Sequence, residues 1–169
     1  MNLYEATVPV FTKLLGQVDR WLDKATEYAA TKKFDPEVLM QARLAPDQYP
    51  FIRQIQAACD QAKWTCAKLA GKDGPSHPDT EATISEIRAR IKTVQDYLAT
   101  FTREDFDGAE ERAVSHQWMG GRSLRGGDYL DHYALVNFHF HYTTAYAILR
   151  HNGLPLIKAD ATGPLPFKS

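Results

Sequence analysis

The chain has 169 residues and a formal net charge of −1; 44% of its residues are hydrophobic and 24% are charged. This length and composition predict a soluble protein that folds as a single domain over residues 1–169. The near-neutral charge, with no block of basic residues, argues against nucleic-acid binding, and no apolar run approaches the roughly 18 residues of a membrane-spanning helix.

Two long helices are predicted in the first seventy residues, because apolar residues recur three and four positions apart. The first spans residue 3 to about residue 31 and lacks the pattern of a signal peptide, which indicates a cytoplasmic protein. A short helical piece opens at Asp35, since Asp favours the cap and the next residue, a proline, favours the first helical position. The second long helix runs from Pro50 to about Ala70. Its two cysteines, Cys59 and Cys66, are too far apart along the helix for a disulfide and are interpreted as small buried residues.

The third helix has the most regular apolar spacing in the chain. It is predicted to start at a cap formed by Asp79 or Thr80 and to reach Phe101. Residues 102–131 break the helical pattern, and their weak alternation around two glycine pairs predicts a short β-hairpin. The glycine-rich segment 120–128 contains two arginines that could hold an anion, but a flexible turn is the favoured interpretation.

The fourth long helix is predicted over the stretch that begins near Leu135 and ends near His151. It stops there because Gly153 can adopt the left-handed conformation and Pro155 cannot continue a helix. The tail, residues 154–169, is expected to pack loosely or to extend over a neighbouring molecule. These elements predict an all-α fold, a four-helix bundle with a short irregular or β-hairpin insert before the last helix.

His139 and His141 lie two residues apart in the fourth helix, so a helix places them on different sides and prevents them from sharing a metal ion. A strand would place both on one side, but the helical spacing of the residues that follow favours a helix. His141 lies on the buried stripe, four residues after Asn137, where a helical metal-binding pair would need a second histidine. The favoured interpretation of His141 is a core histidine held by hydrogen bonds, and the alternative is a catalytic base or metal ligand.

Asp60 lies beside the apolar seam of the second helix, on the same stripe as Trp64. The sequence leaves open whether Asp60 is a boundary carboxylate or a functional group. A contact between Asp60 and His141 across the bundle would fix the imidazole tautomer and raise its basicity. Asp60 and His141 are therefore the candidate catalytic residues, and Asn137, Trp64 and Tyr146 are candidate pocket residues.

The last helix carries the sequence NFHFHYTTAYAILRHNG. It is similar to the signature Asn-Phe-x-Phe-His-x-Thr-Thr-Ala-Tyr-x-x-Leu-Arg-x-x-Gly of an uncharacterised bacterial branch of the DinB/YfiT-like superfamily. The resemblance extends over nearly the whole chain, through APDQYPFIRQIQAACDQAK, HPDTEATISEIRARI and GLPLIKAD. It implies a four-helix bundle with a helix order unlike the up-down type, and a homodimer.

The wider superfamily includes metal-dependent thiol transferases, whose metal is held by one histidine of the second helix and two histidines, four apart, of the fourth. His141 matches the later histidine of the fourth helix, and Asn137 stands at the earlier position. The second helix has no histidine, and Cys59 and Asp60 are its nearest ligand-capable residues. The resemblance therefore implies a degenerate metal site at His141, with either no cofactor or a divalent metal such as Zn or Ni.

Three functional hypotheses follow. The first is a non-catalytic homodimer that binds a small-molecule ligand or a partner. The second is an enzyme, a metal-dependent or Asp-His-based transferase or hydrolase related to the thiol transferases. The third is a structural dimer without a ligand.

Overall fold

Four long helices dominate the protein, in a computed structural model that describes residues 2–167. Along the chain the helices are α1 (Leu3–Lys32), α2 (Phe51–Leu69), α3 (Ile84–Leu98), α4 (Gly126–Tyr129), α5 (Leu135–His151) and α6 (Lys158–Thr162). A π-helical segment, Leu130–Ala134, joins α4 to α5, and a 3₁₀ helix, Pro36–Gln41, lies between α1 and α2. The predicted helical-bundle architecture is confirmed, and the last helical stretch begins earlier than predicted, at Gly126.

Side chains of the first turns fix where the helices begin. The predicted cap at Asp35 is confirmed, because its carboxylate accepts a 3.0 Å hydrogen bond from the Glu37 N–H. The cap predicted for α3 was wrong. Thr83 caps this helix in a reciprocal box with Glu86, whereas Asp79 is drawn into ion pairs with Arg53 and Arg90.

The core lies around α2, which packs against α5, α3 and α1. Phe11 of α1 meets Phe138 of α5 with ring centroids 4.6 Å apart. Cys59 and Cys66 are free, fully buried thiols, as interpreted from the sequence. Burial raises the pKa of the Cys59 thiol to about 12, so this thiol stays protonated and unreactive at neutral pH.

The predicted hairpin is present as two short antiparallel strands, β1 (Ala113–Val114) and β2 (Leu124–Arg125). Gly126 follows β2 directly and opens α4 against the loop that precedes β1. A Cβ atom at Gly126 would overlap the carbonyl oxygen of Ala109, so this close approach requires glycine. The hairpin is thereby held against the end of α2 and the start of the last helical stretch.

The tail packs more closely than predicted. Leu154 and Leu156 are buried, and α6 lies against α1. Between these two helices the Trp21 indole N–H donates to the Asp160 carbonyl at 3.0 Å. Lys24 pairs with the Asp160 carboxylate at 2.7 Å. The prediction of a loose tail was therefore wrong for residues 154–162, because two apolar anchors and one ion pair fasten them. Residues 168 and 169 lie outside the described part of the chain. Within residues 2–167, no helix combines the length and apolar character needed to cross a bilayer.

Gly126→Ala should destabilise the fold by about 2 kcal/mol or more, because the new methyl group meets backbone rather than a mobile side chain. Gly127→Ala is the matched control, since a Cβ there would lie 3.3 Å from the flexible Glu110 side chain. That variant should be neutral or gain up to about 1 kcal/mol of helix propensity. Urea unfolding followed by circular dichroism measures both, and equal stabilities of the two variants would contradict this role for Gly126.

Candidate functional site

Two polar contacts join α2 to α5 inside the bundle. His141 Nδ1 lies 2.7 Å from Gln54 Oε1, and the Asn137 side-chain N–H donates to Gln61 Oε1 at 2.7 Å. Both glutamines are buried. The earlier glutamine pairs with the later residue of α5, so the two helices run antiparallel along this seam. The seam lies where the resemblance places the metal site.

The hydrogen bonds determine which nitrogen of His141 carries its proton. The Gln54 side-chain N–H donates to the Tyr49 carbonyl at 3.1 Å, which leaves its Oε1 as the acceptor that faces His141. His141 must therefore donate through Nδ1, and Nε2 keeps its lone pair. Burial lowers the pKa of His141 below its usual range, which favours this neutral form.

Asp60 does not contact His141, so the predicted Asp–His pair is wrong. Its carboxylate instead binds Arg90 at 2.6 Å and Lys63 at 2.8 Å. The side chains of these two cations are only 2% and 1% exposed, and an uncompensated buried charge would cost several kcal/mol. Asp60 therefore neutralises the buried charges of Lys63 on α2 and Arg90 on α3.

The residues around His141 do not fit a divalent zinc or nickel ion. The neighbouring groups are the neutral side-chain amides of Gln54 and Asn137, which are poor ligands for these metals. Among residues 2–167, no three His, Cys, Asp or Glu side chains gather in a way that could hold a metal ion. No step of a mechanism is therefore assigned to a metal at this seam.

An inner cavity of about 300 Å³ opens between α2, the hairpin and the start of α5. The structure brings three of the predicted site residues together in its wall, namely Asp60, Trp64 and Asn137. The other lining residues are Tyr49, Arg53, Ala57, Gln61, Asp79, His116 and Tyr133. His141 does not line this cavity. Tyr146 lies elsewhere, because it packs against Trp21 and donates to the Leu156 carbonyl.

His116 is the site residue that the sequence reasoning missed. Its Nε2 lies 3.0 Å from the hydroxyl of Tyr129, which also accepts a 3.4 Å hydrogen bond from the Gln61 side chain. The Tyr129 hydroxyl can donate to Nε2, an arrangement in which the His116 proton sits on Nδ1. Burial, aided by the nearby Lys68 charge, lowers the pKa of His116 and keeps the ring neutral. The neighbouring Trp118, an aromatic in a polar insert, was the one sequence signal near this position.

An outer cavity of about 570 Å³ adjoins the inner one, because Trp64 and His116 line both. Its other lining residues are Lys68, Ser115, Gln117 and Gly121. We refer to the two cavities together as the cleft. The glycine-rich segment reaches the cleft through Gly121, but its arginines do not. Arg122 donates to the Met119 carbonyl, and Arg125 pairs with Glu111 at 2.6 Å.

Acid should destabilise the protein through four histidines whose rings are partly shielded from water. Burial lowers the pKa of His77, His116, His139 and His141 in the folded state, so the unfolded chain binds protons first as the pH falls below about 6.5. Above that pH the rings are neutral in both states, and the folded state keeps its full stability. As the pH falls from there toward the pKa values of the folded state, the free energy of unfolding decreases progressively. The free energy of unfolding should therefore fall between about pH 7.5 and about pH 5.5.

His141→Gln should reduce this drop, because glutamine can still donate to Gln54 but does not titrate. His151→Gln, at an exposed position of α5, is the control. Urea unfolding at both pH values measures the difference. The same pH dependence in His141→Gln and in the unmodified protein would contradict the contribution assigned to His141.

Comparison with known proteins supports the fold and gives the family. No curated protein shows a significant match to the chain. Among solved structures, the chain is similar to the crystal structure of a DinB family member protein from Shewanella denitrificans, with 43% sequence identity and a TM-score of 0.95. The match covers 99% of this chain and 95% of that one. Residues 3–161 match the family described as Domain of unknown function (DUF1993). The chain therefore belongs to the DUF1993 family and is a DinB-like protein.

Proposed function

We propose that this protein binds a small molecule in the cleft between α2, the hairpin and α5. The proposal rests on one observation: aromatic side chains and hydrogen-bonding groups without partners line the same concave space. The aromatic lining residues are Trp64, His116 and Tyr133, and the polar uncharged ones are Gln61 and Asn137. Ligand sites in proteins combine these features at volumes of about 300–1,000 Å³.

Three groups of the cleft have capacity left for a ligand. Among residues 2–167, no donor reaches Asn137 Oδ1, since the only hydrogen bond of this side chain runs from its N–H to Gln61. Within the same range, no hydrogen-bond partner faces His116 Nδ1 or the Trp64 indole N–H. None of these atoms is buried without a partner, so each one is open to solvent or to a ligand. A ligand with a polar group opposite each of these three atoms would satisfy them.

The charges of the inner cavity are already compensated. Asp60 is neutralised by Arg90 and Lys63, and Asp79 pairs with Arg53 at 2.6 Å. Binding of a neutral group there requires no further charge burial. The Asp-His-based transferase or hydrolase is the weaker candidate, because Asp60 binds Lys63 and Arg90 and does not contact His141, whose Nδ1 faces Gln54.

Indole and benzamide should bind the native protein saturably, as detected by saturation-transfer NMR and titration. Trp64→Leu should abolish this binding, because it removes the wall that both cavities share. Phe167→Leu is the matched control, since Phe167 is an aromatic residue 86% exposed and outside the cleft. Failure of both probes to bind, or undiminished binding to Trp64→Leu, would contradict the proposal.

A homodimer formed through α5 is also part of the proposal. Val136 and Phe140 are 61% and 55% exposed, and Thr143 and Ala147 continue the same stripe at three- and four-residue spacing. A helix with apolar residues on its outer as well as its inner face normally has a partner on both. A second copy offers the same stripe, and two antiparallel copies of α5 would cover each other around a two-fold axis. Two free buried cysteines suit the cytoplasmic location expected for such a protein.

Phe140→Glu should convert this dimer to a monomer, because it places two like charges at the centre of the shared stripe. Phe167→Glu, the same exchange at an exposed residue away from α5, should leave the dimer intact. Sedimentation velocity across the micromolar range distinguishes the two states. A monomeric unmodified protein, or an unchanged dimer in Phe140→Glu, would exclude the α5 interface.

A further inference from the structure

We infer that the ligand of the cleft is a planar aromatic carboxylate, with its carboxylate at Lys68 and its ring beside Trp64. This inference rests on the proposed small-molecule function and specifies the chemical class of ligand. Three features of the cleft carry it: a cation without a carboxylate partner, an immobilised aromatic wall, and a gradient of charge from one end of the cleft to the other.

Lys68 is the cation. It lies on α2 four residues after Trp64, one helical turn further on, and lines the outer cavity. Among residues 2–167, no carboxylate lies within 4 Å of its ammonium group, whereas the cation of the inner cavity, Arg53, is paired with Asp79. Lys68 can therefore pair with an anionic ligand without breaking an existing ion pair.

Trp64 is held in place before any ligand arrives. The Lys63 ammonium lies 5.2 Å from the ring centroid, and Gly74 packs so closely that a Cβ there would lie 3.0 Å from the indole six-membered ring. A second group of rings lies on the hairpin side, where His116 and Tyr133 line the cleft and Trp118, which does not line it, packs against both. His116 stacks on Trp118 at 6.0 Å with an interplanar angle of 16°, and Trp118 lies 5.1 Å from Tyr133. A flat ligand gains more from such pre-ordered walls than a flexible chain of the same area does.

The charge gradient orients the ligand. The charged residues that line the inner cavity are all in ion pairs, namely Asp60, Asp79 and Arg53. The charge that lines the outer cavity, Lys68, has no ion-pair partner among residues 2–167, so an anionic group is favoured at the outer end. His116 lines both cavities, and its lowered pKa keeps the ring neutral. The carboxylate of the ligand is therefore expected at Lys68, next to the His116 ring that lines the same cavity. The neutral end then reaches the amides of Gln61 and Asn137.

Three probes that share one ring system test the inference: naphthalene-2-carboxylate, naphthalene-2-carboxamide and 2-naphthylmethylamine. Isothermal titration at neutral pH should show the carboxylate binding about fivefold tighter than the amide, as for one partly exposed ion pair, and the amine binding most weakly. Added salt should reduce the advantage of the carboxylate. In Lys68→Gln, the carboxylate and the amide should bind equally. Lys32→Gln, on a helix that contributes no residue to either cavity, should keep the preference of the unmodified protein.

The outcomes separate this inference from the proposed function. Equal binding of the three probes, abolished by Trp64→Leu, would overturn the inference and leave the binding function standing. A carboxylate preference that persists in Lys68→Gln would also overturn it, since the charge would then be recognised elsewhere. Absence of binding by all three probes, together with absence of indole and benzamide binding, would overturn both.

Discussion

The neutralisation of two buried cations constrains the rest of this structure. Lys63 of α2 and Arg90 of α3 lie in the interior with almost no exposure, and both bind the single carboxylate of Asp60. Other donors of the two cations reach into the loop between α2 and α3. Lys63 contacts His77 Nδ1 at 2.9 Å, and Arg90 binds the Pro78 carbonyl and the Glu81 carboxylate. Because charges this deep must keep their partners, the loop is fastened across the bundle.

The position of the cleft follows from this constraint. The fastened loop carries Gly74, which packs against Trp64, and the Lys63 ammonium lies over the same ring. Trp64 is therefore held as a fixed wall. The opposite wall comes from the hairpin, which stays close because Gly126 allows the backbone to approach Ala109. The cleft is thus bounded by parts of the chain that are distant in sequence and are held by separate interactions.

The seam of α2 and α5 shows how a DinB-like bundle can build a polar centre from neutral amides and a single histidine. Gln54 and Gln61 of α2 occupy it with Asn137 and His141 of α5, and each pair shares a 2.7 Å hydrogen bond. Amide side chains carry both donors and acceptors, so they can satisfy one another without an ion. The seam is then a specific polar contact between the two helices. The candidate ligand site is the neighbouring cleft.

Local patterns along the sequence were sufficient for the helices and for part of the site. Apolar spacing gave α1, α2, α3 and α5, and Asp35 and Gly153 marked a start and a stop, because these features depend only on near neighbours. The same reasoning selected Asp60, Trp64 and Asn137, which do line one cavity.

Sequence patterns could not show that Asp60 would bind Arg90 instead of His141, since Arg90 and His141 come from helices that only the folded chain brings close to Asp60. Nor could they select His116, whose place in the cleft depends on the hairpin folding back on Tyr129. The sequence by itself determined the four long helices, because apolar spacing depends on near neighbours. The tertiary structure alone decided which polar groups pair, because the partners of buried charges and hydrogen-bonding groups come from parts of the chain that are distant in sequence.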